Sequence, residues 1–328
     1  MRFKYSSNKY KSIHITVIVL ILFFAYYTVS YVVNSLYYNP SQKSVGKYHE
    51  DLYFDLKVFT ELNLPGYAVV GVDSEKLGFG KYNIHIEQLN LFNRERKYID
   101  FKIKRDDKFG NFQDILGSDY LGFTEIKQPN IDISVRNKEF INHIKELNPV
   151  SYASAYIVLT EDLNLKEFDE LSRKYNNKVS FKWVGVRTED KGKPTNYLSG
   201  FNPNFNDGSV SSDSADKNKY PYLQLIDCMT DEKNINKFNN GSMVEAYTKH
   251  FTSLLKYMND REKAVTALEF NSVKIDYYKN ALNYVEKNGI NIYGFLVYGE
   301  ARELLEFINY GKIKSIEING VLPSKYKK

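Results

Sequence analysis

The sequence predicts an α+β protein that starts with a single transmembrane helix, continues through a strand-rich region and ends in an α/β domain. Three observations predict it. Ile13 to Val33 is an uncharged apolar run. Much of residues 52–149 alternates apolar and polar positions, the period of a strand with one dry and one wet face. Residues 150–328 contain strand–helix–strand order twice.

At ~1.5 Å per residue, a helix over Ile13–Val33 covers about 31 Å, close to the ~30 Å thickness of bilayer hydrocarbon. The run is apolar on every face and long enough to span, which favours a bilayer over a protein core. Tyr31, Tyr37 and Tyr38 fall where an aromatic belt belongs. The following "NSLYYNPSQ" has no small-residue cleavage pattern, so an uncleaved anchor is expected rather than a signal peptide. Arg2, Lys4, Lys9 and Lys11 precede the span without an acid. Lys43 and Lys47 on its far side are offset by Glu50, Asp51 and Asp55. That bias puts the N-terminus in the cytoplasm and the long remainder outside. The expected division is a cytoplasmic tail (1–11), a transmembrane helix (12–37), a stalk (38–51), a strand-rich extracytoplasmic region (52–149) and an α/β extracytoplasmic domain (150–328). Membrane lipid is the first partner this implies. The four basic tail residues would meet any cytoplasmic one.

Within the strand-rich region, "LYFDLKVFTEL" (52–62) alternates in part and "GYAVVGVDS" is a β-branched run entered through Pro65-Gly66. "KYNIHIEQLNLF" sets Tyr82, Ile84 and Ile86 against Asn83, His85 and Glu87, and "KYIDFKIKRDD" repeats the pattern. Gly78, Gly80, Gly110, Gly117 and Gly122 mark loops. Residues 135–149 read as a short helix with a Phe140, Ile141, Ile144 and Leu147 stripe, stopped by Pro149. Beyond it, 151–160 is a strand and 163–175 a helix capped by Asn164, with Leu165, Phe168 and Leu171 inward. A strand follows at 178–188. Residues 189–220 form a long loop too polar to pack. Residues 220–227 read as another strand, then 242–258, 261–270 and 273–288 as helices. Residues 289–321 repeat strand, helix, strand. A ferredoxin-like sheet with inserted helices accounts for two β-α-β units, and another α/β sandwich is the alternative.

Charge and motifs exclude more than they assign. The formal net charge of +5 over 328 residues is small and spread out, giving nucleic-acid binding little support. A hydrophobic share of 43% suffices for packed cores. The single cysteine, Cys228, allows no intrachain disulfide and reads as a small buried hydrophobe. Phosphate-loop, zinc-helix and nucleophile-elbow patterns are absent. His14, His49, His85, His143 and His250 show no metal-ligand spacing. His85 and Glu87 share a strand face where two side chains could hold a cation, but they read as an exposed wet face. The carboxylates of "RDD" (105–107) and "SDSADK" (212–217) read as solvated loops. Trp183 alternates with Phe181 and Val179 and reads as core. Nothing assembles a nucleophile, a base and an orienter, so no catalytic residue, metal or cofactor is assigned and the chain is read as not an enzyme.

"AYIVLTEDLNLKEFDELSRKYNNKVSFKWVGVRT" (155–188), with Trp183, Gly185 and Val186 at its end, and "GINIYGFLVYGEARELLEFINYGKIKSIEINGV" (289–321) resemble the sigma factor regulator C-terminal region. The span followed by "LPGYAVVGVDSEKLGFGKYNIHIEQ" (64–88) resembles the matching N-terminal region. These regions occur in membrane-anchored anti-sigma factor-like proteins of Gram-positive bacteria. The resemblance implies an extracytoplasmic sensor controlling an extracytoplasmic-function sigma factor, and its motifs carry packing and turn residues rather than chemistry. A sigma-factor interface needs ~20–30 residues a side. Residues 1–11 fall short of that, so a second small membrane protein is expected to complete the clamp, unless the true start lies upstream or only the sensor half is kept. The alternative function is a membrane-anchored envelope-binding module with no role in transcription, using loop 189–220 as its contact surface.

Overall fold

A computed structural model of the chain describes residues 3–78, 80–103, 122–193, 195, 197–205, 213, 215–230, 234–235, 237–238, 241–268, 276–309 and 312–325. The carboxylates at 105–107, and Gly110 and Gly117, lie outside the described residues, as does Arg2.

Helix α1 runs Phe3–Leu36. Within it, Ile13–Val32 has a mean hydropathy of 2.2 and none of it is buried against the rest of the protein. One N-terminal apolar helix of this length fits a single-pass membrane anchor. The next element, α2 (Asp51–Asn63), is where the sequence predicts a partly alternating strand over 52–62. Leu52, Leu56 and Phe59 also satisfy helical spacing, and Tyr53, Phe54, Val58 and Leu62 are buried as well. A helix buried nearly all round has no polar face, so it loses the amphipathic period that would identify it.

Two sheets follow. The first is an antiparallel meander of β1 (Tyr67–Gly78), β2 (Lys81–Asn90) and β3 (Arg96–Ile103). The expected alternation is present, with Tyr82, Ile84 and Ile86 buried on β2. The second sheet has five strands in the order β6-β5-β7-β4-β8, namely β6 (Gly200–Phe201), β5 (Val179–Val186), β7 (Asn291–Glu300), β4 (Tyr152–Asn164) and β8 (Ile313–Leu322). All of its neighbouring pairs are antiparallel. β4 and β5 therefore point the same way with β7 between them, and β7 and β8 do so across β4. The two strand–helix–strand units interleave rather than lie side by side. Their helices are Leu165–Tyr175 and Ala301–Ile308. Asn164 caps the first in a reciprocal box, accepting from the Glu167 N–H while the Glu167 carboxylate takes the Asn164 N–H. β7 is central, and Ile292 to Tyr298 is buried without alternation.

Two further expectations are corrected. Residues 220–227 form no strand; turns lead into a 3-10 helix at Leu225–Met229. The segment 189–220 is not too polar to pack, since Leu198, Gly200, Phe201, Asp213 and Ala215 are buried and Gly200–Phe201 pairs with β5. Leu198 and Phe201 enter the core while asparagines satisfy the backbone locally, as where Asn202 Oδ1 accepts from the Asn204 N–H.

A single hydrophobic cluster runs from Leu52 through Ile84 and Trp183 to Ile316, joining both sheets. Phe92 after β2 stacks on Tyr152 at 5.7 Å and meets Tyr298 edge-on at 5.0 Å. Gly66 bridges α2 to β1 at φ +84, and a Cβ there would lie 2.9 Å from Leu296 Cδ2.

Candidate functional site at the junction beyond the apolar helix

The chain leaves α1 at Leu36 and turns at once into the protein. Tyr38 is buried and donates its hydroxyl to Asp55 Oδ2 at 2.7 Å. Tyr38 therefore belongs to the protein interior and not to an aromatic belt, whereas Tyr31 on α1 is exposed. Asp55 is the centre of a buried network. Tyr257 donates to its Oδ1 at 2.8 Å. The Arg261 guanidinium forks onto both oxygens, Nε to Oδ1 at 2.7 Å and Nη2 to Oδ2 at 2.9 Å. Arg261 also reaches Asp51 Oδ2 at 3.2 Å. Both carboxylates are fully buried. Burial pushes the Asp55 carboxyl up, against the lowering pull of Arg261 and the tyrosine hydroxyls. The Arg261 guanidinium, whose proton burial alone would loosen, is held more firmly by Asp55.

Local sequence sets this up. Asp51 and Asp55 lie four apart on α2 and so on one face. Arg261 sits between the helices Val244–Asp260 and Glu262–Ala267, where the break in the backbone frees it to point at α2.

The segment 39–50 wraps over this network and is fastened by carboxylates from both sides. Asp51 Oδ1 accepts from the N–H groups of Ser44 at 2.6 Å and Val45 at 3.0 Å. Asp213 accepts from three successive N–H groups, those of Lys47, Tyr48 and His49, each at 2.7 Å. Burial would raise the Asp213 carboxyl, but these donors prevail and hold it below its ordinary value. Gly46 lies so close that a Cβ would meet Asp213 and Phe54 at 2.5 Å. On the other flank, Tyr82 donates to Asn39 Oδ1 at 2.9 Å, and Ser41, Ser74 and Glu50 form a chain. Segment 39–50 thus touches α2, the first sheet and the C-terminal half together. Through Asp55, Tyr257 of the Val244–Asp260 helix and Arg261 are joined to Tyr38 at the end of α1.

Sequence reasoning placed candidate residues elsewhere. Ile13 and Val33 lie within α1, as do Lys4, Lys9 and Lys11, whose side chains are outside the described residues. His85 does not share a site with Glu87. It meets Asp100, opposite it on β3, at 2.7 Å, while Glu87 pairs with Arg96. Among the described residues no cluster of three or more metal-ligating side chains occurs. Trp183 is core, 1% exposed, with its indole N–H on the Glu61 carbonyl at 2.8 Å. Cys228 is buried, and burial pushes its thiol up to about 11. In the sequence Asp51 and Asp55 read as charges balancing Lys43 and Lys47, and Asp213 reads as part of a solvated loop. The one local signal was a pair of acids four apart in an otherwise apolar run.

An apolar helix tied by buried charges to an interleaved β-α-β domain defines the class, an α+β protein built to hang from one anchor. The family model described as "Sigma factor regulator C-terminal" matches residues 144–320, more than half of the chain and all of the five-stranded sheet except the last two residues of β8. The chain belongs to that family. Asp213, Tyr257 and Arg261 fall inside the match, whereas Tyr38, Asp51 and Asp55 fall outside it. A 72-residue stretch is 35% identical to "Probable anti-sigma-M factor YhdL" of Bacillus subtilis (strain 168). That stretch is 22% of this chain and 19% of the relative, so the likeness spans about a fifth of each. No solved structure matches the chain.

Proposed function

We propose that this protein is a single-pass membrane regulator whose extracytoplasmic domains sense a state of the envelope and control an extracytoplasmic-function sigma factor. The family match carries the reading. The junction supports it, because a sensor has to pass a change of state to its anchor, and Asp55 joins the family domain to the end of α1 through Tyr38. The N-terminus faces the cytoplasm, where Arg2, Lys4, Lys9 and Lys11 meet the partner. The region before the matched domain serves as the N-terminal sigma-regulator region. A second small membrane protein shares the hold on the sigma factor. The chain performs no catalysis; its work is a shift between two states, driven by a stimulus that binds one of them better.

Deleting the gene and measuring transcripts of the sigma regulon tests this. A rise that the full-length protein silences again supports it. A regulon that does not move removes the regulatory role and leaves an envelope-binding module. Co-purification from cross-linked membranes tests the partners, with the sigma factor and a small membrane protein expected together.

A further inference from the structure

Close to the junction lies a small cleft with room for about 60 Å³, the size of a small anion rather than of a large ligand. Lys57, Thr60 and Glu61 of α2 form one wall, Gly66 leads into β1, and Lys182 and Asn202 face them from the second sheet. Three residues of this cleft bear on what it can hold.

Thr60 is 1% exposed, and its hydroxyl has no hydrogen-bond partner. Native proteins rarely leave a buried hydroxyl unsatisfied, and one that lines a cleft marks where a ligand atom belongs. Lys57 holds an ammonium in a desolvated place. Burial lowers it to about 8, against the raising pull of Glu61 and Asp227, and its Nζ donates to Gln224 Oε1 at 2.7 Å. An anion beside it would restore what burial removes. Lys182 is the extra residue of a β-bulge, since Phe181 pairs with Val297 and Trp183 with Leu296. Bulges re-aim side chains and gather beside sites. The Lys182 ammonium lies 5.8 Å from the centre of the Tyr298 ring, whose hydroxyl borders Gly66.

The acid in the cleft is already engaged. Glu61 Oε1 accepts from the Asn202 N–H at 3.2 Å and lies 2.7 Å from His250 Nε2. His250 Nδ1 faces the Tyr222 carbonyl at 2.7 Å. Asp227, behind Lys57, pairs with Lys217 at 3.5 Å. Of the charged side chains that line the cleft, two are the lysines Lys57 and Lys182 and one is the acid Glu61, so the formal charge of its lining is positive.

We propose that this cleft binds a small ligand bearing one oxyanion, a phosphate or a carboxylate, which sits between Lys57 and Lys182 and takes the Thr60 hydroxyl as a donor. The sensory reading gives this binding a purpose, but the binding itself is tested without it. The full-length chain in neutral detergent is titrated calorimetrically with inorganic phosphate and, separately, with acetate at pH 7. Saturable binding of at least one anion is expected, and the anion that binds identifies the group. Lys57→Met and Lys182→Met keep the stem and remove the charge; each is expected to weaken binding by tenfold or more. Thr60→Val, of similar shape, is expected to weaken it by about tenfold, roughly one hydrogen bond, without lowering the thermal midpoint. A merely structural threonine would leave affinity unchanged. No binding of either anion, or equal affinity in the wild type and all three variants, overturns the proposal. Should Lys57→Met fail to fold, the other two variants decide. The sigma regulon plays no part in this measurement, so its failure leaves the regulatory reading standing.

Discussion

Asp55 accepts from Tyr38, Tyr257 and Arg261 with no exposure to water. A buried ion pair adds little net stability once the desolvation of both charges is counted, yet removing one partner strands the other. Asp55→Ala leaves the guanidinium and two hydroxyls facing a void. The expected loss is ~3–5 kcal/mol, read as a lowered denaturant midpoint in detergent. Asp213 makes the opposite case. Its carboxyl is held below the ordinary value, so the stability it lends is present above its unfolded value of about 4 and disappears as pH falls through the lower folded value. Amide exchange at Lys47, Tyr48 and His49 is expected to accelerate in that acid window, and Asp213→Asn should give fast exchange already at neutral pH. Unchanged protection in acid would mean that these amides are held by something other than the Asp213 charge.

At the scale of elements, local rules and tertiary contacts can be separated. The Leu165–Tyr175 helix begins with a capping box visible in the order Asn164 to Glu167. Asn164→Ala should cost about 1 kcal/mol while leaving the sheet intact, checked by the thermal midpoint with unchanged near-ultraviolet dichroism. Gly66 has tertiary reasons to be glycine, with φ at +84 and no room beside Leu296 and Tyr298. Gly66→Ala is expected to cost ~1–3 kcal/mol, more than the cap. A smaller effect than Asn164→Ala would show that the contact between α2, β1 and β7 is slack.

For the whole molecule, both sheets and α2 share one core, and segment 39–50 is bound to α2, to the first sheet and to Asp213. Tyr38→Phe removes the hydroxyl that links the end of α1 to Asp55, at a cost of about 1–2 kcal/mol. Under the regulatory reading the variant should still fold, and the sigma regulon should respond less to envelope stress at equal protein abundance. A full response would show that the signal reaches the membrane by another route.

Much of this protein is legible in its sequence because it rests on neighbours along the chain. The apolar run of α1, the alternation of β2 and β3, the cap at Asn164 and the strand–helix–strand repeats each lie within a short window, where side-chain period and backbone chemistry act locally. Family membership is legible for the same reason, since its packing and turn residues keep their spacing. Only the tertiary structure decided that 52–62 is a helix, because burial on every side erased its period. It also decided that Tyr38 turns inward, that part of 189–220 packs, and that Asp55 meets Arg261 from 206 positions away. Coulombic and hydrogen-bond partners are chosen by proximity in space. A carboxylate reads as surface charge until the fold brings an arginine and two tyrosines to it and excludes water.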